Sequence, residues 1–165
     1  MPLVRVGSAA VRELDDDGTR SVLAIQRLQA AYGDAVTRRA WAEVAALFEP
    51  DAVVHIDTRT RPPFDVDGPE ALVTFIERSL EAFAFFDFAI MNSVVDLGEA
   101  GTATGRVYIC ELRSDHDAAR TEAYGLYEDR YRRREGKWRI AGRRYSSLAR
   151  FGPSVEAFGL PAGLS

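Results

Sequence analysis

The apolar residues of this chain change their spacing once, near residue 84, and the change limits the possible folds to a few. Before this point they recur at three- and four-residue steps, which is typical of amphipathic helices. After it they alternate with polar residues at every second position, which is typical of half-buried strands. Helices followed by a run of strands, without βαβ alternation, predict an α+β fold with the helices across one face of a curved sheet.

The same spacing predicts three helices and five strands, separated by segments rich in glycine, proline or aspartate. The helices are expected over about residues 19–38, 40–48 and 69–83, and the strands over about residues 52–57, 86–97, 102–113, 120–133 and 137–149. Asp17 or Thr19 is the expected N-cap of the first helix, because short polar side chains satisfy the free amides of a first turn. Residues 58–67, which include Pro62 and Pro63, are expected to form a loop.

Length and cysteine usage indicate one ordinary globular domain. The chain has 165 residues, of which 47% are apolar and 28% are charged, so it can bury a core without disulfides or metal. A disulfide scaffold is excluded because Cys110 is the only cysteine, and with only His55 and His116 beside it a structural zinc site is not expected. We expect an N-terminal arm over residues 1–18, the domain over 19–150, and a tail over 151–165 that packs on the domain.

Charge and hydropathy narrow the possible partners. The N-terminus lacks the apolar core of a secretion signal, and no apolar run approaches the roughly 18 residues of a membrane span, so a cytoplasmic protein without a membrane partner is expected. Residues 130–150 hold nine Arg or Lys residues against one Glu, whereas the whole chain has a net charge of -4. This basic block is read first as a solvated strand face, with an anionic ligand or acidic partner as the alternative. Nucleic acid is the least favoured partner, because bases stack on aromatic side chains and few of these lie within the basic block.

Several short segments occur in an order that is typical of a known family. They are Tyr32, the segment from Trp41 to Phe48, Pro50-Asp51-Ala52-Val53-Val54, Gly68-Pro69-Glu70-Ala71-Leu72, Asn92, Tyr127-Glu128-Asp129-Arg130 and Gly136-Lys137-Trp138-Arg139-Ile140. Over about residues 20–150 the chain resembles the SnoaL-like branch of the nuclear transport factor 2-like superfamily, which includes scytalone dehydratase, ketosteroid isomerase and polyketide cyclases. The resemblance implies a cone-shaped, mostly antiparallel sheet wrapped around three N-terminal helices, an apolar cavity inside the cone, and a homodimer.

The resemblance also implies where catalytic groups would lie. Dehydratase-like members use a His/Asp pair, and the matching positions are Phe88 and Thr37, so the usual proton-transferring dyad is missing here. Ile56 matches the position of a strand tyrosine or a general-base carboxylate in other members, whereas Tyr32 matches a tyrosine that stabilises an oxyanion. A phenol can donate a hydrogen bond to developing negative charge. The alternative is that Tyr32 is only a core aromatic on the helical stripe.

Strand alternation supplies further candidates, because side chains two positions apart share a face. Aligned with the relatives, the cavity-facing sets are expected to be Val107, Ile109, Glu111 and Arg113, then Ala123, Gly125, Tyr127 and Asp129, then Arg143, Tyr145 and Ser147. Burial would raise the pKa of Glu111 or Asp129 and make either a usable general base or acid. Arg143 can bind a carboxylate or enolate, or it can form an ion pair with Asp129 or Glu111 that only stabilises the sheet.

The expected site therefore has catalytic candidates and a surrounding pocket. Tyr32, Glu111, Asp129 and Arg143 are the catalytic candidates, and Thr37, Ile56, Phe88, Val107, Tyr127 and Tyr145 are the pocket candidates. His55 is read as a surface or interface residue, His116 as part of an acidic loop, and Cys110 as packing. Because no phosphate-binding loop, nucleophile elbow or metal-spaced His pair occurs, neither a cofactor nor a metal is expected.

Two functions remain open at the level of sequence. The first is a cofactor-independent cyclase, isomerase or dehydratase acting on a small hydrophobic oxygenated substrate of polyketide, steroid or terpenoid type. The second is a non-catalytic ligand-binding or assembly module of the same fold. A cavity of roughly 300 Å³ or more with convergent polar groups would favour a ligand site. A cone filled by Phe75, Phe85, Phe88 and the tail would favour the module.

Overall fold

In the computed structural model, which describes residues 13–164, three helices pack against one face of a bent seven-stranded sheet. The elements are α1 (Asp16–Thr37), α2 (Trp41–Ala46), β1 (Phe48–Asp57), β2 (Phe64–Asp67), α3 (Pro69–Leu80), β3 (Phe83–Leu97), β4 (Thr102–Asp115), β5 (Arg120–Arg134), β6 (Lys137–Phe151) and β7 (Val155–Ala157). The predicted α+β class is confirmed, as is the order of helices first and strands afterwards.

The sheet runs in the order β2-β1-β6-β5-β4-β3, and every pair is antiparallel except β1 with β6. The β1 ladder on β6 ends at Ser146, and β7 then pairs with Ala149–Phe151 of β6. The C-terminal tail thus continues the sheet beside the last residues of β6. This pairing holds the end of β6 between two neighbours, β5 and β7.

Helix α1 supplies the buried stripe that the spacing predicts. Ile25, Leu28, Tyr32 and Val36 are all buried in the core. The helix begins about one turn earlier than expected, because Asp15 is the N-cap and its carboxylate accepts a hydrogen bond from the Gly18 amide at 2.7 Å. The predicted caps Asp17 and Thr19 were therefore wrong. Of the predicted arm, residues 1–12 lie outside the described part of the chain, and residues 16–18 belong to α1.

Two other boundaries differ from the prediction. Helix α2 ends at Ala46 and β1 begins at Phe48, and the ladder of β1 on β6 has an irregularity between Phe48 and Val53. A proline is tolerated at such a bulge, so Pro50 lies within β1 instead of ending a helix. The expected loop contains β2, whose four residues pair antiparallel with residues 53–56. Four residues are too few for their alternation to stand out from a proline-rich loop.

A buried ion pair joins β5 and β6 at the centre of the sheet. Asp129 and Arg143 are direct cross-strand partners, and the guanidinium donates from Nε to Oδ1 at 2.7 Å and from Nη2 to Oδ2 at 2.8 Å. Tyr131 donates its hydroxyl to Asp129 Oδ2 at 2.8 Å, and Gln29 of α1 donates to the Tyr131 oxygen at 2.8 Å. One hydrogen-bonded chain therefore connects α1 to the two central strands.

Removing one member of this pair leaves an uncompensated buried charge. We expect Asp129→Ala to lower the free energy of unfolding by about 3–5 kcal/mol, since breaking a buried pair strands its partner. The matched control is Glu128→Ala on the opposite face of β5, where we expect a change within about 0.5 kcal/mol. Urea unfolding measures both. Equal stability losses in the two variants would contradict the assignment.

Candidate functional site

A cavity of about 420 Å³ lies between the helices and the bent sheet. This volume is within the range that holds small-molecule ligands in proteins. Phe75 and Phe88 line the cavity without filling it, and Phe85 is 55% exposed and does not line it. The cone is therefore open to a ligand rather than plugged by its own side chains.

The cavity has an apolar buried end and a charged outer end. Tyr32, Val54, Phe88 and Tyr127 are buried at the inner end. Most of the remaining wall is also apolar and comes from the helix α3 and from neighbouring strands, through Leu72, Phe75, Ile76, Leu80, Phe83 and Phe86. Arg61 and Thr60, which are exposed, mark the outer end. A ligand that enters passes from a polar rim into an apolar interior.

Arg143 brings a positive charge to the inner end. Its Cζ atom lies 3.8 Å from the Tyr127 ring centroid and 4.3 Å from that of Tyr32, so the cation packs on aromatic faces. Burial by itself would lower the pKa of Arg143, but the Asp129 carboxylate outweighs burial and the net pKa is raised. Its Nη1 is buried and has no hydrogen-bond partner among residues 13–164. One N–H group of a permanent cation is therefore left without a protein acceptor in this part of the chain.

Two tyrosines supply neutral hydroxyls beside this cation. Burial raises the pKa of Tyr32, although Arg143 acts against that effect. Burial raises the pKa of Tyr127 as well. Both phenols therefore keep their protons at neutral pH and can donate hydrogen bonds. The Tyr32 ring packs edge-on against Phe88, with 5.5 Å between the ring centroids. Tyr32 is therefore part of the aromatic core and also lines the cavity.

Glu111 is the single carboxylate among the described residues that line the cavity. Its side chain is 22% exposed, and Oε2 lies 3.6 Å from Nη1 of Arg113. Burial raises the pKa of Glu111, while Arg113 and Arg150 partly counter that rise. A carboxyl group with a raised pKa can exchange a proton near neutral pH better than an ordinary glutamate.

Seven of the ten predicted site residues line the cavity, and three do not. Tyr32, Ile56, Phe88, Glu111, Tyr127, Arg143 and Tyr145 line it. Asp129 does not line it. Arg143 and Tyr131 occupy its oxygens, so Asp129 positions Arg143 and is not a free base. Val107 is 2% exposed in the core, and Thr37 Oγ1 accepts a hydrogen bond from the Phe88 amide at 3.1 Å.

Sequence reasoning missed two arginines that line the cavity, Arg61 and Arg150. Arg150 has the wrong parity for the predicted cavity face of β6. The β5–β6 register shifts between Gly125, which pairs with Ser147, and Tyr124, which pairs with Ala149. The extra residue moves the cavity-facing positions from odd to even numbers. Arg61 follows no period because it lies in the segment between β1 and β2.

The remaining candidates lie away from this cavity. His55 pairs with Asp65 across β1 and β2, with Nδ1 2.6 Å from Oδ1, and neither residue lines the cavity. Within the described chain, no group of three or more His, Cys, Asp or Glu side chains is arranged to hold a metal. No helix in residues 13–164 has both the length and the apolar composition needed to cross a lipid bilayer.

Solved structures with the same fold are numerous, although no curated protein matches the chain by sequence. A protein assigned as a scytalone dehydratase from Novosphingobium aromaticivorans is 22% identical, with a TM-score of 0.72 over 89% of this chain and 99% of that one. The hexachlorocyclohexane dehydrochlorinase LinA-type3 from Novosphingobium barchaimii is 18% identical, with a TM-score of 0.72 over 88% and 98%. A protein of unknown function from Mycobacterium tuberculosis is 20% identical, with a TM-score of 0.69 over 84% and 78%.

At these identities the likeness shows the shared fold. The family is shown by a different comparison, since the model of the SnoaL-like domain matches residues 18–144, which is well over half of the chain. The match covers the helices and every strand of the sheet up to the middle of β6. The chain therefore belongs to the SnoaL-like domain family of the nuclear transport factor 2-like superfamily.

Proposed function

We propose that this protein is an enzyme that binds a small hydrophobic oxygenated molecule in the cavity and moves a proton on it without a cofactor. The reaction is a cyclisation, isomerisation or dehydration, and the substrate is of polyketide, steroid or terpenoid type. One observation carries the proposal: Glu111, with its raised pKa, lines the same apolar cavity as Arg143 and Tyr32.

In the proposed reaction Glu111 acts as the base. Its carboxylate removes a proton from the carbon next to a substrate carbonyl, and the electron pair of that C–H bond moves onto the carbonyl oxygen. Nη1 of Arg143 and the hydroxyl of Tyr32 stabilise the resulting enolate in a low-dielectric site. Glu111 then returns the proton to another carbon, which isomerises the substrate, or to a departing hydroxyl, which releases water.

The family relationship supports a reaction of this type. Two of the structural neighbours are named as a dehydratase and a dehydrochlorinase, and these names denote the loss of water and of hydrogen chloride. In this chain Phe88 and Thr37 cannot act as the His/Asp pair that the resemblance implies. The proton-transferring group must therefore lie elsewhere in the cavity, and Glu111 is the available carboxyl group.

A non-catalytic ligand-binding protein is the second candidate function. The same replacement of the dyad by Phe88 and Thr37 favours it. In that case the cavity binds its ligand with the same contacts, but no proton transfer takes place. Turnover by the wild-type protein separates the two candidates.

Substitution of Glu111 tests the catalytic proposal directly. A panel of cyclic ketones of polyketide, steroid and terpenoid type is incubated in deuterated water, and NMR follows hydrogen exchange next to the carbonyl and product formation. We expect Glu111→Gln to reduce the rate by at least about a hundredfold, and Tyr32→Phe by roughly ten- to a hundredfold. Glu128→Gln, on the other face of the sheet, is the control and keeps the rate. Full activity of Glu111→Gln would refute the role of Glu111.

The pH profile gives a second readout of the same group. A base must be deprotonated, and burial raises the pKa of Glu111, so kcat/KM falls as the pH decreases through that raised value. We therefore expect the acid limb of the profile to lie above the ordinary glutamate pKa of about 4.3. Steady-state rates, measured across the pH range with a ketone that the wild-type protein converts, check this. A limb at or below the ordinary value would exclude Glu111 as the base.

The stability of Glu111→Gln can be measured without a substrate. A carboxyl whose folded pKa is raised destabilises the folded protein at a pH above that pKa, because the buried charge is poorly solvated. We expect Glu111→Gln to be more stable than the wild type at about pH 8, and the advantage to disappear as the pH falls to about 4. Urea unfolding across this pH range measures the difference. A less stable variant at the higher pH would contradict the burial of a poorly solvated charge.

A further inference from the structure

The charges that line the cavity are unbalanced. Four arginines line it, Arg61, Arg113, Arg143 and Arg150, against the single carboxylate of Glu111. Asp129 neutralises Arg143 from behind the cavity wall, and Arg113 lies 3.6 Å from Glu111. Within residues 13–164, neither Arg61 nor Arg150 has a carboxylate oxygen within 4.0 Å. Arg61 lies over the Phe64 ring and Arg150 contacts Ser147, so these two positive charges have no acidic partner at the cavity.

The excess positive charge comes from Arg113 and Arg150, which lie near Glu111 on the sheet, and from Arg61 at the outer end of the cavity. Ala123 of β5 pairs with Glu111 on one side and with Arg150 on the other, so the two side chains flank a small residue on the same face. Arg113 is two residues beyond Glu111 on the same strand and shares this face. Ala123 is buried and does not line the cavity, whereas Glu111, Arg113 and Arg150 all do. An anionic group of a ligand in the cavity can therefore contact Arg113 and Arg150 from the cavity side.

Both arginines are held in place by the fold. The Arg113 side chain is 14% exposed, its Cζ lies 5.0 Å from the Phe83 ring centroid, and its buried Nε has no hydrogen-bond partner among the described residues. Arg150 donates from Nε to the Ser147 hydroxyl at 3.4 Å, and its backbone lies between β5 and β7. A guanidinium whose orientation is already restrained loses less entropy when it binds an anion.

We propose that the natural ligand is an amphipathic carboxylic acid, whose carboxylate lies between Arg113 and Arg150 and whose apolar body extends to Tyr32 and Phe88. The proposal rests on the proposed function, because it assigns a substrate class to the same cavity. The planar guanidinium fork matches a carboxylate in shape and charge. The aromatic inner end matches an apolar ring, and the carbonyl that reacts lies between these two ends.

The acidic side chains near the outer end do not oppose this arrangement. Arg113 lies 3.6 Å from the Glu111 carboxylate and compensates its charge when it is ionised. Asp57 is paired with Arg59, with 3.3 Å between Oδ2 and Nε. Glu156 faces Arg150 in the β6–β7 pairing, but it is exposed and makes no ion pair within 4.0 Å in the described chain. A ligand carboxylate can therefore bind Arg150 without displacing an acidic partner.

Matched acids and amides test the assignment in the full-length protein. Isothermal titration calorimetry compares phenylacetic acid and 2-naphthylacetic acid with their amides, which have the same shape without the charge. We expect each acid to bind about tenfold or more tightly than its amide at neutral pH. Arg150→Met should weaken binding of the acids by about tenfold and leave the amides unchanged. Arg144→Met, an exposed arginine on the other face of β6, removes the same charge and should change neither.

Each outcome decides a different claim. If the amides bind as tightly as the acids, the carboxylate assignment fails while the cavity remains a ligand site and the proposed function stands. If neither acids nor amides bind, the carboxylate assignment fails, and the proposed function is decided separately by turnover of the ketone panel. If 2-naphthyl phosphate binds more tightly than both acids, the anion is a phosphate and the carboxylate assignment is overturned. Equal losses in Arg150→Met and Arg144→Met would show a general charge effect and would also overturn it.

Discussion

The cavity depends on one interaction, the ion pair between Asp129 and Arg143 at the centre of the sheet. A cation in an apolar interior is costly unless a partner compensates it. Asp129 binds Arg143 through two hydrogen bonds, and Tyr131 and Gln29 orient Asp129 in turn. Arg143 is thereby kept charged and in place beneath the aromatic rings. Without Asp129, the inner end of the cavity would contain an unpaired charge or no charge.

This arrangement separates two roles that look alike in sequence. Asp129 and Glu111 are both carboxylates on the cavity face of adjacent strands, but their surroundings differ. Both oxygens of Asp129 accept hydrogen bonds from Arg143, so this carboxylate compensates the charge of Arg143. Glu111 has Arg113 at 3.6 Å and lines the cavity, where a ligand can reach it. Burial then raises the pKa of Glu111. Environment therefore makes one carboxylate a structural partner and leaves the other as the proton carrier of the proposed reaction.

Much of the candidate site could be predicted from alternation together with the family resemblance. Glu111, Tyr127 and Arg143 follow the two-residue period within uninterrupted stretches of strand, and all three line the cavity. Arg150 could not be found in this way, because the bulge in β6 reverses the parity before it is reached. Val107 was predicted to line the cavity, but it is buried in the core and does not reach it. Facing inward is necessary for lining a cavity, but it does not ensure it.

The sequence by itself determined the α+β class, the order of the elements and which side chains share a strand face, because these depend on local period and turn chemistry. Only the tertiary structure decided which inward-facing residues reach open space, which carboxylate is bound and which is free, and where the arginines collect. Those properties depend on the bend of the sheet and on contacts between residues such as Gln29 and Tyr131, which are 102 positions apart. A local sequence pattern carries no information about which residues so far apart in the chain will meet.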